Sequence, residues 1–130
     1  MSRYPSNEYV VLIEDSTADV SLFCEVMFLQ NISLRLEIFS RGEEALGFLA
    51  DPGVSPPQII IIDVGLPDIS GIELLQQLKQ LPHMQAVQIF VWSSGATERD
   101  QASCERFLAT YLDKPSDLSG WEDSLAFMLQ

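Results

Sequence analysis

Four consecutive isoleucines, Ile59 to Ile62, run into a single carboxylate, Asp63. β-branched side chains fit a pleated surface, so this is the most strongly strand-prone run in the chain. Tyr9 to Ile13 is a second apolar run, without alternation, and it stops at Glu14 and Asp15. A strand with no polar face is one buried on both sides, and the segments around it must supply the cover.

The spacing elsewhere predicts that cover. From Thr17 to Leu29, Val20, Phe23, Cys24, Met27 and Phe28 recur at helical spacing, and Asp19 in the first turn suits the helix dipole. Leu34 to Phe39 alternates like a half-buried strand. Ser40, with Glu43 three residues on, forms a capping box for a helix through Leu49. Asp51 to Pro57 carries three prolines and a glycine and is a loop. Gly65 to Gly71 is turn chemistry, followed by a helix through Leu81 in which Ile72, Leu75 and Leu78 share a face and which Pro82 stops. Val87 to Trp92 is a fourth strand, ending in Ser93, Ser94 and Gly95. Thr97 caps a polar helix through about Phe107. Ala109 to Leu112 is a short fifth strand that reaches Asp113, Lys114 and Pro115, and Ser119 opens a last helix with Leu125, Phe127 and Met128. Strand and helix thus alternate five times, which predicts one α/β domain, a doubly wound, mainly parallel sheet with right-handed crossovers. Ligands of such sheets bind beyond the carboxyl ends of the strands.

The 130 residues suffice for one domain, and 47% hydrophobic residues supply its core. Nineteen acidic against seven basic side chains give a formal charge of −12, which repels phosphate backbones and anionic lipids. Neither nucleic acid nor a membrane surface is an expected partner. No window approaches the roughly 20 apolar residues of a membrane helix, and Met1 to Pro5 lacks a signal peptide's apolar stretch, so a cytoplasmic location is expected. With His83 the sole histidine and two distant cysteines, a structural zinc site lacks ligands. Cys24, on an apolar helical face, is expected to pack as a small hydrophobe, and Cys104, in a more polar segment, to be accessible but without an activating partner. Trp92 is expected in the core, with a partner for its indole N–H.

At the strand ends stand Glu14 and Asp15, Asp63, Ser93 and Lys114. Crowded carboxylates raise one another's pKa unless a cation sits among them, and an all-oxygen site with few ligands suits hydrated Mg²⁺. With that charge and Lys114 neutralising an incoming phosphoryl group, Asp63 can act as its nucleophile, while Ser93 donates to one phosphoryl oxygen. Taken singly, each residue has a plainer reading: a solvated loop for Glu14 and Asp15, a turn cap for Ser93, a surface side chain for Lys114. The ordered set is what points to this chemistry.

Glu14-Asp15, Asp63, Leu66-Pro67, Gly71, Ser93 and Lys114-Pro115 together resemble the receiver domain of two-component response regulators, over about residues 8–130, with 1–7 an N-terminal tail. The resemblance implies a flavodoxin-like (βα)5 fold with strand order 2-1-3-4-5. It implies a phosphoacceptor, not an enzyme, that takes a phosphoryl group from the phosphohistidine of a sensor histidine kinase onto Asp63. It implies Mg²⁺ held by Asp15, Asp63 and the carbonyl of Gly65, with Glu14 acting through water, and a cis Lys114–Pro115 bond. Tyr111 matches the family's aromatic switch position, working with Ser93 to remodel the face of helix four, strand five and helix five. A simple core aromatic is its other reading. That same face is where a homodimer is expected. The run from Glu14 to Asp19 is similar to receivers that partner bacterial and cyanobacterial phytochromes. Nothing after the last helix is left for an output domain, so the signal is expected to pass to another, unidentified protein.

The chain departs from many receivers at Ser94, where they have alanine, and by glycine two positions after both Asp63 and Ser93, which leaves water open access to a phosphoryl group. Three rivals carry other functions. A flavodoxin-like electron carrier needs a phosphate-cradling turn where Glu14 and Asp15 stand. A phosphatase resembling the haloacid dehalogenases needs Asp-x-Asp, and Gly65 occupies the second acidic position. The third is a receiver-shaped binding module that is never phosphorylated.

Overall fold

The computed structural model describes residues 8–129, and residues 1–7, the expected tail, lie outside the described residues with Gln130. Five strands, β1 (Tyr9–Ile13), β2 (Arg35–Phe39), β3 (Ile59–Asp63), β4 (Gln88–Ser93) and β5 (Thr110–Asp113), alternate with five helices. These are α1 (Thr17–Leu29), α2 (Gly42–Ala50), α3 (Gly71–Leu78), α4 (Glu98–Arg106) and α5 (Leu118–Met128), with a 3₁₀ turn at Pro82–Met84. All strand pairs are parallel, in the order β2-β1-β3-β4-β5, as expected.

The apolar runs behave as their patterns predict. Every residue of β1 and β3 is buried. Alternate side chains feed two cores: Val11, Ile13, Ile60, Ile62 and Val91 meet α2, α3 and Cys104 of α4 on one face. Val10, Leu12, Ile59, Ile61, Phe90 and Trp92 meet Phe23, Val26 and Met27 of α1 and Trp121, Leu125 and Met128 of α5 on the other. Each fully buried isoleucine contributes about 1.5–3 kcal/mol, so the strands whose ends carry the acids are the most firmly held parts of the sheet. Edge strand β2 is half-exposed, and its Arg35–Glu37 ion pair (3.3 Å) puts charge where an exposed edge would otherwise invite pairing.

Several local expectations are corrected. α2 starts at Gly42 with Arg41 at its N-cap, and no capping box forms between Ser40 and Glu43. The free amides instead receive a carboxylate from across the fold, that of Asp68. α3 ends at Leu78, three residues before the expected Leu81, because the residue ahead of Pro82 is biased away from helical backbone. Asp117, not Ser119, caps α5, its side chain accepting the Gly120 N–H. Bounds of β2, β4 and β5 each shift one residue toward the C-terminus at their start. Helical spacing also misassigned faces. Phe28 is 81% and Phe127 52% exposed, Cys24 is exposed, and Cys104 of α4 is fully buried in the core. Trp92 is buried as expected, but its Nε1 has no hydrogen-bond partner among the described residues. No cis peptide bond occurs among the described residues, so Lys114–Pro115 is trans, the lower-energy isomer before proline by about 0.5–1 kcal/mol.

Candidate functional site

Register brings the strand ends together. Ile13 pairs with Ile62, Asp63 with Trp92 and Ser93 with Asp113, which sets Glu14 level with Asp63 and Lys114 one step past Ser93. The sheet still holds the residues just beyond it: Glu14 N–H donates to Phe39 O at 2.9 Å, and Lys114 N–H to Ser93 O at 2.9 Å. Behind Asp63 the turn closes through Gly71, whose N–H donates to Val64 O at 2.9 Å. A Cβ at Gly71 would lie 2.5 Å from Asp63 O and 2.8 Å from Val64 Cα, so α3 can approach this closely only with glycine there.

One oxygen each from Glu14, Asp15 and Asp63 lies within 4.8 Å of the others. Glu14 is 2% and Asp63 7% exposed, while Asp15 faces solvent. Lys114 reaches into this group, its Nζ lying 2.7 Å from Glu14 Oε1, 2.9 Å from Asp19 Oδ2 and 3.3 Å from Asp63 Oδ1. Burial pushes the Glu14 carboxyl up to about 7, with the Lys114 hydrogen bond opposing the rise and the Asp63 charge adding to it. Burial alone would lower the pKa of Lys114, but hydrogen bonds to Glu14 and Asp19 and the charges of Glu14 and Asp63 outweigh it and hold the ammonium above its usual range. Three carboxylates therefore share one cation, with a fourth, Asp15, beside them. That surplus of negative charge, on oxygens alone, fits a hard divalent ion. An open groove of about 320 Å³ runs from Glu14 and Asp15 along α1 to Ile38 and Ser40, and neither Asp63 nor Lys114 lines it.

Ser93 is half-buried, and its Oγ accepts the Gly95 N–H at 3.0 Å, which leaves its own hydrogen available to another acceptor. The Tyr111 ring packs against the core at its margin, and its hydroxyl donates to Asp113 Oδ1 at 2.7 Å. Burial, followed by that carboxylate, pushes the phenol up to about 12. A Cβ at Gly65 would meet only Asp63 Oδ2, at 3.8 Å, and one at Gly95 nothing within 4 Å. Glu14, Asp63 and Lys114 are thus gathered in contact with Asp15 close by, Ser93 ends the adjoining strand and Gly65 lies in the turn after Asp63. Tyr111 lies apart, bonded to Asp113. Sequence reasoning missed Asp19 as part of the group. Its first-turn position suits the helix dipole, and a turn of helix directly after Glu14-Asp15 also faces the strand ends.

A doubly wound five-stranded domain with an acid-and-lysine cluster at its carboxyl edge defines the class. Residues 10–125 match the response regulator receiver domain. Response regulator Rcp1 of Synechocystis sp. is 35% identical over 114 residues, 84% of this chain and 78% of that protein. The Mn(2+)-bound form of Rcp1 has the same architecture, with a TM-score of 0.85 at 26% identity over 95% of both chains. A phosphorylated cyanobacterial phytochrome response regulator, RcpA, shares the fold with a TM-score of 0.82 at 24% identity over 96% of each chain. The chain belongs to the response regulator receiver family. No helix among the described residues is long and apolar enough to cross a membrane.

Proposed function

We propose that Asp63 is the phosphoacceptor of this receiver. The observation that carries the reading is the placement of a 7%-exposed carboxylate between two further acids and a lysine 3.3 Å away. An Asp63 oxygen forms a bond to phosphorus as the P–N bond of a kinase phosphohistidine breaks, its electron pair returning to the imidazole. Lys114 neutralises one phosphoryl oxygen, and the Ser93 hydroxyl, its hydrogen uncommitted, donates to another. Asp15, Asp63 and the carbonyl of Gly65 would hold Mg²⁺, with Glu14 acting through water. When bound, the ion supplies positive charge for the oxygens of the transferring group.

Signalling then passes through protein contacts. Ser93 moves toward the phosphoryl group to donate its free hydrogen, and Tyr111 leaves Asp113 to fill the space, which remodels the face of α4, β5 and α5. That face is the proposed site of a homodimer or of the downstream protein. The run from Glu14 to Asp19 supports a phytochrome-type histidine kinase as the donor. The test is incubation with acetyl phosphate and Mg²⁺. The wild type should gain the mass of one phosphoryl group, EDTA should prevent it, and Asp63→Asn should not gain it. Absence of any mass gain in the wild type would show an unphosphorylated binding module instead.

A further inference from the structure

We propose that Asp19 is a positioning residue that competes with the phosphoryl group for Lys114 and so sets how readily Asp63 is charged, a proposal that rests on the reading of Asp63 as phosphoacceptor. An ammonium has three hydrogens to donate. Here three carboxylates surround it, and the two nearest are Glu14 at 2.7 Å and Asp19 at 2.9 Å, with Asp63 behind them at 3.3 Å. Lys114 stays within ion-pair reach of Asp63, but its two shortest contacts are spent on Glu14 and Asp19.

One of these partners has to let go when phosphoryl oxygens arrive. The side chain of Glu14 is 1% exposed and that of Asp63 10%, whereas that of Asp19 is 30% exposed. Returning Asp19 to water costs least, because a half-solvated carboxylate regains hydration that a buried one cannot. Asp19 also stands outside the set of acids whose oxygens converge within 4.8 Å, so its part is played through Lys114 and not as a ligand. Its place in the helix does not depend on the side chain: the Asp19 N–H is capped by Ser16 Oγ at 3.2 Å. The carboxylate therefore acts as a removable brake, occupying the cation until something more negative displaces it.

Removing the charge separates the two ligands, favouring one without favouring the other, a signature that a structural lesion would not produce. In Asp19→Asn, beryllofluoride, used as phosphoryl mimic at saturating Mg²⁺, should bind about threefold to tenfold more tightly, since a freed ammonium is gained and a repelling charge lost. Mg²⁺ alone should bind no more tightly than in the wild type, because the site has become less negative. Calorimetry reads both, and Trp92, whose ring centroid lies 5.8 Å from Lys114 Nζ, offers an emission signal for the same titrations. Asp19→Ser serves as the second variant, and Glu25→Gln, on the exposed side of α1, controls for net charge. Tighter beryllofluoride binding in both Asp19 variants, with the Glu25 control unchanged, supports the proposal. Equal or weaker binding in Asp19 variants that melt like the wild type overturns it, as does an equal gain in the control. If the wild type itself takes neither beryllofluoride nor a phosphoryl group, the reading of Asp63 fails and the Asp19 proposal falls with it. Failure confined to the Asp19 variants leaves Asp63 standing.

Discussion

Asp68, in the turn after β3, closes the N-terminus of α2: its Oδ1 accepts the Gly42 N–H at 2.9 Å and its Oδ2 the Glu43 N–H at 2.8 Å. A helix start leaves amides without intrahelical partners, and a carboxylate is their strongest acceptor. The same contact ties the loop that follows Asp63 to a helix beneath the sheet.

Asp68→Ala should therefore lower the unfolding midpoint at neutral pH. The Glu43 amide, with Gly42 behind it, holds the Asp68 carboxyl below its usual 3.8. A lowered acid stabilises the fold above its unfolded-state pKa, and that contribution is lost as pH falls through the folded value. The midpoints of wild type and variant, measured from pH 7 downward, should converge below about 3.8. A gap that persists at lower pH would show that the carboxylate is not the cap.

Gly71→Ala places a methyl 2.5 Å from Asp63 O, a backbone atom that can yield only by moving β3 or α3. The expected cost is about 1–3 kcal/mol, as for other overpacked sites. Urea unfolding measures it, and phosphorylation by acetyl phosphate should fall in the same variant because Asp63 itself is displaced.

Glu14 predicts a pH dependence of opposite sign to Asp68. Burial raises its pKa from 4.5 to about 7, so without a divalent ion the folded chain keeps a proton that the unfolded chain releases. Stability in EDTA should then fall as pH rises from about 4.5 to about 7 and level off above. Metal binding needs the ionised carboxylate, so Mg²⁺ affinity should rise through the same window with release of a proton. Glu14→Gln should flatten both profiles.

Gly65 and Gly95 have ordinary backbone angles, so glycine is not required there by conformation. What they leave is room beside Asp63 and after Ser93. Larger, polar side chains, as in Gly65→Asn with Gly95→Glu, should change the decay rate of phosphorylated Asp63 by up to about tenfold, or ~1.4 kcal/mol in the barrier. Decay at an unaltered rate in the double variant would remove this role.

The two thiols should separate cleanly. Cys24 is exposed, whereas Cys104 is buried, and burial, with Asp100 nearby, pushes its pKa up to about 11. A thiol reagent at neutral pH should label Cys24 in the native protein and Cys104 only after denaturation, read by mass. Native labelling of Cys104 would contradict the packing of α4.

Strands β1 and β3, the start of α1 and the Thr97 cap were legible because each rests on neighbours within a few residues: an unbroken apolar run, a period, a hydroxyl three positions before an amide. The acids and the lysine were legible as well, since a doubly wound sheet puts the end of every strand at one edge. The sequence alone thus determined the parallel α/β fold and that Glu14, Asp15, Asp63 and Lys114 stand at one edge of it, though not that Asp19 joins them. Only the tertiary structure decided which faces of the helices were covered, burying Cys104 and exposing Cys24 and Phe28, because helical spacing names a stripe without saying what packs on it. It also decided which partners were chosen. Asp68 caps a helix that begins 26 residues earlier, and Lys114 binds Asp19 from 95 residues away. Local sequence carries no mark of such pairs, because their energy depends on distance in space, which the sheet register sets only after the chain has folded.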